Sequence, residues 1–402
     1  MSMSVTKAKK QFLFDIILNT ASFAIYVIAQ QIILMPFMGK SLNEADFAKF
    51  IIFVSVFSII SNSLGGELGV VRQIFNHKKE KDQYNLILSY LLAITFVGSL
   101  LVTLLIGYGV VDSVLMATII LLANIRLYAS AFFRMHKKFN LVIIQMLLLV
   151  LGIFLGIWVF SFTKFIWAPF MFGELFSFVF SLAKTDLLSP VGNIANLDRK
   201  ILKSFKDYSI VEFLVNLMTY FDKILIYPIL GVLSVNTYYA TTAMSKIVAL
   251  ITNPLHGVLL SWINSDNKEQ NGHIVSKLLK YCLPVTTVVI LISLPLTYLA
   301  VAVLYKQYLS DAISIMIPIS IGVGLAFVTT LIKAILLKLI DSNSLLKIHI
   351  VYIIIFVLAS ISFSHLFGLV GFAISGVVSK LYLLIAFCRL LIKIKKGRTQ
   401  DD

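Results

Sequence analysis

Ionisable side chains stand deep inside long apolar stretches of this 402-residue chain. A charge at bilayer depth costs about 2.5–3.5 kcal/mol on insertion scales, so such residues commonly face a partner or a water-filled cavity. The deep cations are Arg126, Lys223, Lys246 and Lys380, and the deep acids are Glu174 and Asp222. Pairing with two acids leaves two of these four cations without a counter-charge. The interior is therefore predicted to favour an anionic substrate.

The deep cations are assigned to substrate binding. An arginine can hold a phosphate with two parallel hydrogen bonds, whereas lysines act as point charges. Glu174 and Asp222 are assigned to ion coupling, Glu174 being the favoured ion-responsive carboxylate. The open alternative is structural: the charges form ion pairs that hold helices together, with Glu174 as the static partner of Arg126 or a lysine.

Polar side chains at helical spacing extend this candidate site. Tyr26 and Gln30 fall on one side of the first apolar stretch, Asn216 on the seventh and Tyr239 on the eighth. Spacings of three and four residues place side chains on one helix face. We interpret these faces as the lining of a wet cavity, in which Tyr and Gln can bind sugar hydroxyls. Ordinary helix packing is the alternative.

The elements that carry these residues are membrane helices. The chain is 59% hydrophobic, has a mean hydropathy of +0.96 and is 13% charged, against about 25% charged residues in a soluble protein. Since a crossing needs about 20 apolar residues, the sequence predicts an all-α polytopic membrane protein with about twelve transmembrane helices. They divide into a six-helix bundle over 1–183, a cytoplasmic linker over 184–207 and a second six-helix bundle over 208–402.

A repeat of helix-end residues supports two similar halves. Aligning ILMPFMGKSLNEADFAKF with LIYPILGVLSVNTYYATT, 192 residues later, matches Pro36 to Pro228 and Gly39 to Gly231. The same alignment places Phe47 on Tyr239, each followed by an alanine.

The distribution of basic residues predicts the topology, because Lys and Arg collect in cytoplasmic loops. Most of the 34 Lys and Arg residues fall in alternate loops and at the two ends, whereas the opposite loops contain Lys40, Lys49, Lys164 and Lys306. Both termini are therefore predicted to be cytoplasmic. The net charge of +15 is then a topology signal, and no nucleic-acid partner is expected.

The chain lacks the motifs of an enzyme or a cofactor protein. It has no phosphate-binding Gly-Lys loop, its six histidines have no partner at metal-ligand spacing, and its two cysteines lie in apolar runs. The outer loops are too short for a catalytic module. We therefore expect no enzymatic activity, no metal and no resident cofactor, and a transport step that is driven by a proton or sodium gradient.

Three stretches resemble the Wzx-type polysaccharide flippases of the multidrug/oligosaccharidyl-lipid/polysaccharide exporter superfamily. They are the opening helix with Asn19 and Gln30 leading to LMPFMGKSLNEADFAKF, the loop VVRQIFNHKKEKDQYN, and the central FDKILIYPILG with YYATTAMSKI. One departure is LSVNTYY, which lacks the Gly commonly found before the aromatic residue.

The resemblance implies two six-helix bundles around a central cavity that opens to one side at a time. The implied cargo is an oligosaccharide repeat unit on undecaprenyl pyrophosphate, crossing a bacterial cytoplasmic (inner) membrane for O-antigen or capsule synthesis. A polysaccharide polymerase and glycosyltransferases are the implied partners. The alternative is a cation-coupled multidrug exporter of the same superfamily. Its often cationic substrates call for an acidic cavity, which the deep cations disfavour.

Overall fold

A computed structural model describes residues 5–75, 81–189, 197–262, 268–340 and 342–398. Within these ranges the regular structure is helical and contains no strand. The first helices are α1 (Val5–Ile28), α2 (Met35–Ser41), α3 (Glu44–Ser61), α4 (Glu67–Ile74), α5 (Lys81–Ile106), α6 (Val110–Met135), α7 (Phe139–Thr163) and α8 (Ala168–Lys184). The others are α9 (Arg199–Trp262), α10 (Lys268–Leu304), α11 (Leu309–Leu339) and α12 (Ser342–Arg398). A π-helical turn over Ala29–Leu34 joins α1 to α2, and another over Asn62–Gly66 joins α3 to α4.

Two glycines interrupt the two longest helices. α9 has 64 residues and α12 has 57, each too long for one crossing of about 20 residues. Gly231 has a φ of 78° and Gly368 a φ of 57°, in the left-handed region that glycine adopts without steric cost. Each long helix is therefore interrupted at its glycine and consists of two helical stretches.

The number of crossings follows from these breaks. Within the described ranges, nine helical stretches are long and apolar enough to cross a membrane. Two of them contain Gly231 and Gly368 and count twice. α8, with 17 residues, is about 26 Å long and adds one more. The total of twelve confirms the predicted all-α polytopic fold.

The chain forms two compact units. The first unit consists of Met1–Met35 and Lys49–Asp222, and the second consists of Pro36–Ala48 and Lys223–Asp402. In the first unit α7 packs along α8, α5 along α6 and α1 along α7, and in the second α11 packs against both α10 and α12. The bundle limits 1–183 and 208–402 stay a prediction. By contacts, 36–48 falls in the second unit and 208–222 in the first, and residues 190–196 of the predicted linker lie outside the described ranges.

The segment Pro36–Ala48 is integrated into the core of the second unit. Phe47 is fully buried, meets the ring of Tyr239 edge-on with centroids 6.2 Å apart and stacks on Tyr308 at 6.4 Å. Gln307 Nε2 donates to the Gly39 carbonyl oxygen at 3.0 Å. Phe47 and Tyr239, which the sequence repeat aligns, thus contact one another.

One end of the first unit is built around Arg72, which is not among the predicted site residues. Its guanidinium is 3% exposed, donates with both terminal nitrogens to the Asp186 carboxylate, and donates to Tyr128 Oη at 2.8 Å. Nearby, Ile201 and Phe205 pack against the apolar cluster around Leu68. The beginning of α9 is therefore attached to the first unit.

Candidate functional site

The deep arginine of the first unit is paired. Arg126 on α6 donates to the Glu174 carboxylate on α8 through Nε at 2.8 Å and Nη2 at 3.0 Å. Arg126 is 4% exposed and Glu174 is 1% exposed. The ring centroid of Tyr26, on α1, lies 5.6 Å from Arg126 Cζ, a cation–π distance. Three of the predicted site residues therefore form one cluster inside the first unit.

Close packing of α7 against α8 supports this cluster. At Gly152 and Gly156 an added Cβ would collide with the α8 main chain, at Phe172 and Ala168 respectively. On the same helix pair, Gln145 Nε2 donates to Ser181 Oγ at 2.8 Å and to the Arg126 carbonyl oxygen at 3.3 Å. Small residues let α7 and α8 approach, and the buried amide then ties α7 to α6 and α8.

This arrangement matches the open alternative for Glu174, in which it is the partner of Arg126. A neutralised pair inside a low-dielectric bundle contributes no net charge toward an anionic cargo. Substrate binding by Arg126 and ion coupling by Glu174 stay predictions. Both require the pair to separate or to exchange protons or ligands during the transport cycle.

A second polar cluster in the first unit is centred on Asn216 of α9. Its Nδ2 donates to the Glu212 carbonyl oxygen at 2.9 Å and to Glu212 Oε1 at 3.1 Å, and it lies 3.3 Å from Ser63 Oγ. Asn62 Nδ2 donates to Asn216 Oδ1 at 3.4 Å. Asn62 and Ser63 belong to a π-helical turn, a feature frequent at functional sites. Sequence spacing did not reveal them as partners, because they lie on another helix.

The two remaining site residues of the first unit are Gln30 and Asp222. Gln30 lies in the other π-helical turn, is 6% exposed, and its Nε2 has no hydrogen-bond partner among the described residues. A buried donor without a partner costs about 1–3 kcal/mol, so this amide favours any state or ligand that supplies an acceptor. Asp222 is half-buried and is the last residue of the first unit.

All three deep lysines belong to the second unit. Lys223 is 5% exposed, with Nζ 5.7 Å from the ring centroid of Tyr238. Lys246 Nζ lies 5.3 Å from the ring centroid of Tyr239. The negative face of an aromatic ring stabilises an ammonium group that lies above it.

Lys380 on α12 lies against α11. Its Nζ is 3.1 Å from the position that a Cβ would take on Gly322. The missing side chain at this glycine leaves room for the ammonium group beside the α11 backbone.

The structure thus sorts the predicted site residues by unit. Tyr26, Arg126 and Glu174 come together in the first unit, which also holds Gln30, Asn216 and Asp222 in other places. In the second unit Tyr239 lies beside Lys246 on α9; Lys223 is earlier on the same helix, and Lys380 is on α12. Within the described residues no group of three or more His, Cys, Asp or Glu side chains is placed to hold a metal ion.

Comparison with solved structures identifies the fold of the chain. No protein-family model matches the sequence, and no curated protein matches it. Among solved structures, the lipid II flippase MurJ in an inward closed conformation superposes with a TM-score of 0.68 at 14% identity, over 96% of this chain and 88% of that one. An inward-facing multidrug resistance MATE family transporter of the MOP superfamily has a TM-score of 0.64 at 13% identity, over 98% and 97%. An outward-facing one has a TM-score of 0.64 at 14% identity, over 96% and 97%. The chain has the fold of these membrane transporters.

Proposed function

We propose that this protein flips an undecaprenyl-pyrophosphate-linked oligosaccharide repeat unit across the bacterial cytoplasmic membrane by alternating access. The observation that carries the proposal is the grouping of positive side chains in one unit. All three deep lysines belong to the second unit, and Lys223 and Lys246 lie beside the rings of Tyr238 and Tyr239. The fold, shared with a lipid II flippase and with MATE transporters, supports transport as the activity.

Positively charged side chains in the second unit favour an anionic cargo. An anion that leaves water for a low-dielectric interior loses hydration energy, which nearby positive charges offset. Lysine ammonium groups suit a pyrophosphate, whose charge is spread over several oxygens. The prenyl tail can remain in the bilayer while the polar head crosses, so the protein needs no cavity the size of the tail.

The driving force belongs to the same proposal. Glu174 and Asp222 are the proposed ion-responsive carboxylates for a proton or sodium gradient. The same proposal assigns both termini to the cytoplasm, the side on which the charged head group is loaded and on which Lys and Arg collect. Repeat units released at the outer leaflet then pass to a polymerase.

A cation-coupled multidrug exporter is the second candidate, favoured by the match to MATE transporters over nearly the whole chain. Electrostatic repulsion argues against this second candidate. A cationic drug near Lys246 or Lys380 meets repulsion in a medium that screens it less than water does.

Deletion of the gene separates the two candidates. A strain lacking the protein should accumulate lipid-linked repeat units on the cytoplasmic face and lose its surface polymer, and wild-type expression should restore both. Persistent polymer combined with new sensitivity to cationic dyes would instead establish drug export.

A further inference from the structure

The two cysteines of the chain meet inside the second unit. Cys282 is on α10 and Cys388 is on α12, and these two helices pack against one another. The side chains of the two cysteines are hydrogen-bonded to each other, and both sulfurs are free thiols. The sequence shows each cysteine inside its own apolar run and gives no sign that the two are neighbours.

Chance alone rarely brings two such residues into contact. A core residue touches about 6–12 others, so a second cysteine placed at random in a chain of 402 residues would meet the first in about 2–3% of cases. A single cysteine already packs well as a small apolar side chain, and packing therefore gives no reason for the two to be together. The contact instead points to chemistry that needs both sulfurs.

Two neighbouring thiols can bind a metal ion or form a disulfide. A zinc site takes three or four protein ligands, and no group of three or more His, Cys, Asp or Glu side chains in the described part of the chain is placed to hold a metal. A disulfide needs only the two sulfurs, which already lie within hydrogen-bond distance of one another. The pair is therefore suited to oxidation.

The depth of the pair decides which oxidants can reach it. Cys282 follows the beginning of the apolar stretch Leu278–Leu304, and Cys388 precedes the end of the stretch Ser344–Lys393. Both sulfurs therefore lie inside the apolar layer but close to its polar edge. Cys282 is 7% exposed and Cys388 is half-buried, so a reagent reaches Cys388 first. A small oxidant that dissolves in lipid suits this position.

We propose that Cys282 and Cys388 are an oxidation site that forms a reversible disulfide between α10 and α12. The oxidant is a lipid-soluble quinone. The two thiols lose two protons and two electrons, the two sulfurs form a bond, and the quinone becomes a hydroquinone. A dithiol reductant reverses the step by thiol–disulfide exchange. The bond stabilises the second unit by restricting its unfolded chain, and this inference does not depend on the identity of the cargo.

Counting free thiols tests the oxidation site. Reduced full-length protein in lipid nanodiscs is treated with a short-chain ubiquinone, denatured, and labelled with maleimide-polyethylene glycol. Wild-type protein should fall from two labels per chain to none and remain a monomer on a non-reducing gel, and dithiothreitol should restore both labels. The oxidised protein should also melt several degrees above the reduced protein.

The matched control moves one thiol to another side of the same helix. Ala386 is half-buried on α12, like Cys388, and lies about 200° round the helix from it. Cys388→Ala combined with Ala386→Cys should therefore keep both labels and an unchanged melting temperature after the quinone treatment. Retention of both labels by the wild-type protein, their loss through a dimer of two chains, or equal loss in the control variant would overturn the proposal.

Discussion

Neutralising Glu174 leaves a buried arginine without a counter-charge. Glu174→Gln preserves the shape of the side chain and removes its charge. Arg126 then remains 4% exposed, with only the Tyr26 ring at 5.6 Å to stabilise it among the contacts described above. The variant should lower the free energy of unfolding.

The magnitude follows from the two hydrogen bonds, at 2.8 and 3.0 Å, and from the depth of the pair. Breaking a buried pair by removing one partner costs about 3–5 kcal/mol, because the other charge stays buried. The Tyr26 contact offsets about 0.5–2 kcal/mol of that, so we expect a loss of about 3 kcal/mol for Glu174→Gln. Replacing both residues with methionine removes both charges and should change stability by less than about 1 kcal/mol.

The assay is a double-mutant cycle built from Arg126→Met, Glu174→Met and the double variant, measured by reversible unfolding in mixed micelles. If Glu174→Met costs about 3 kcal/mol, like Glu174→Gln, and the double variant less than about 1 kcal/mol, the coupling energy should be at least about 2 kcal/mol. Asp112→Asn is the control: its carboxylate accepts from Trp167 Nε1 at 2.8 Å in the same unit, and it should cost about 1 kcal/mol or less. Additive single-variant effects would refute the conclusion that the pair stabilises the first unit. If the pair is only structural, the double-methionine variant should still export its cargo. If the pair takes part in transport, export by this variant should be lost.

Three further predictions concern other parts of the chain. Gly65→Ala should lower the melting temperature by several degrees, since its Cβ would lie 2.5 Å from Asn124 Cα; thermal unfolding checks this, and an unchanged melting point contradicts it. Lys246→Ala combined with Lys380→Ala should abolish export while the protein still accumulates in the membrane, as immunoblots and surface-polymer assays will show; normal export refutes the role of the lysines. A reporter fused after Lys203 should signal from the cytoplasm, whereas an external signal would overturn the topology.

Much of the fold can be predicted from sequence, because hydropathy and helix-breaking residues act on the chain segment in which they occur. Apolar runs of about 20 residues fix the crossings, and only glycine readily takes the backbone angles found at Gly231 and Gly368. The repeat that aligns Phe47 with Tyr239 also marks a real structural feature, a ring contact inside the second unit.

The partners of the site residues could not be predicted from local patterns. The sequence shows that Arg126 and Glu174 are deep, but 48 residues separate them and several acids and cations were available. Arg72 and Asp186 are 114 residues apart, and Asp186 gives no hydropathy signal beside Lys184. The π-helical turn over Asn62–Gly66 includes a contact with another helix that local sequence does not reveal, since the Gly65 N–H donates to Asn124 Oδ1 at 2.7 Å.

Under the proposed function, positive charge in the second unit is what moves a lipid-linked oligosaccharide across the membrane. The direct measurement reconstitutes the purified protein in vesicles with a fluorescently labelled undecaprenyl-pyrophosphate oligosaccharide and follows the exposure of its head group to an external quencher. Wild-type protein should equilibrate the label between leaflets far faster than empty vesicles, and the variant with alanine at Lys223, Lys246 and Lys380 should not. Equal rates for wild-type protein, the triple variant and empty vesicles would contradict the claim.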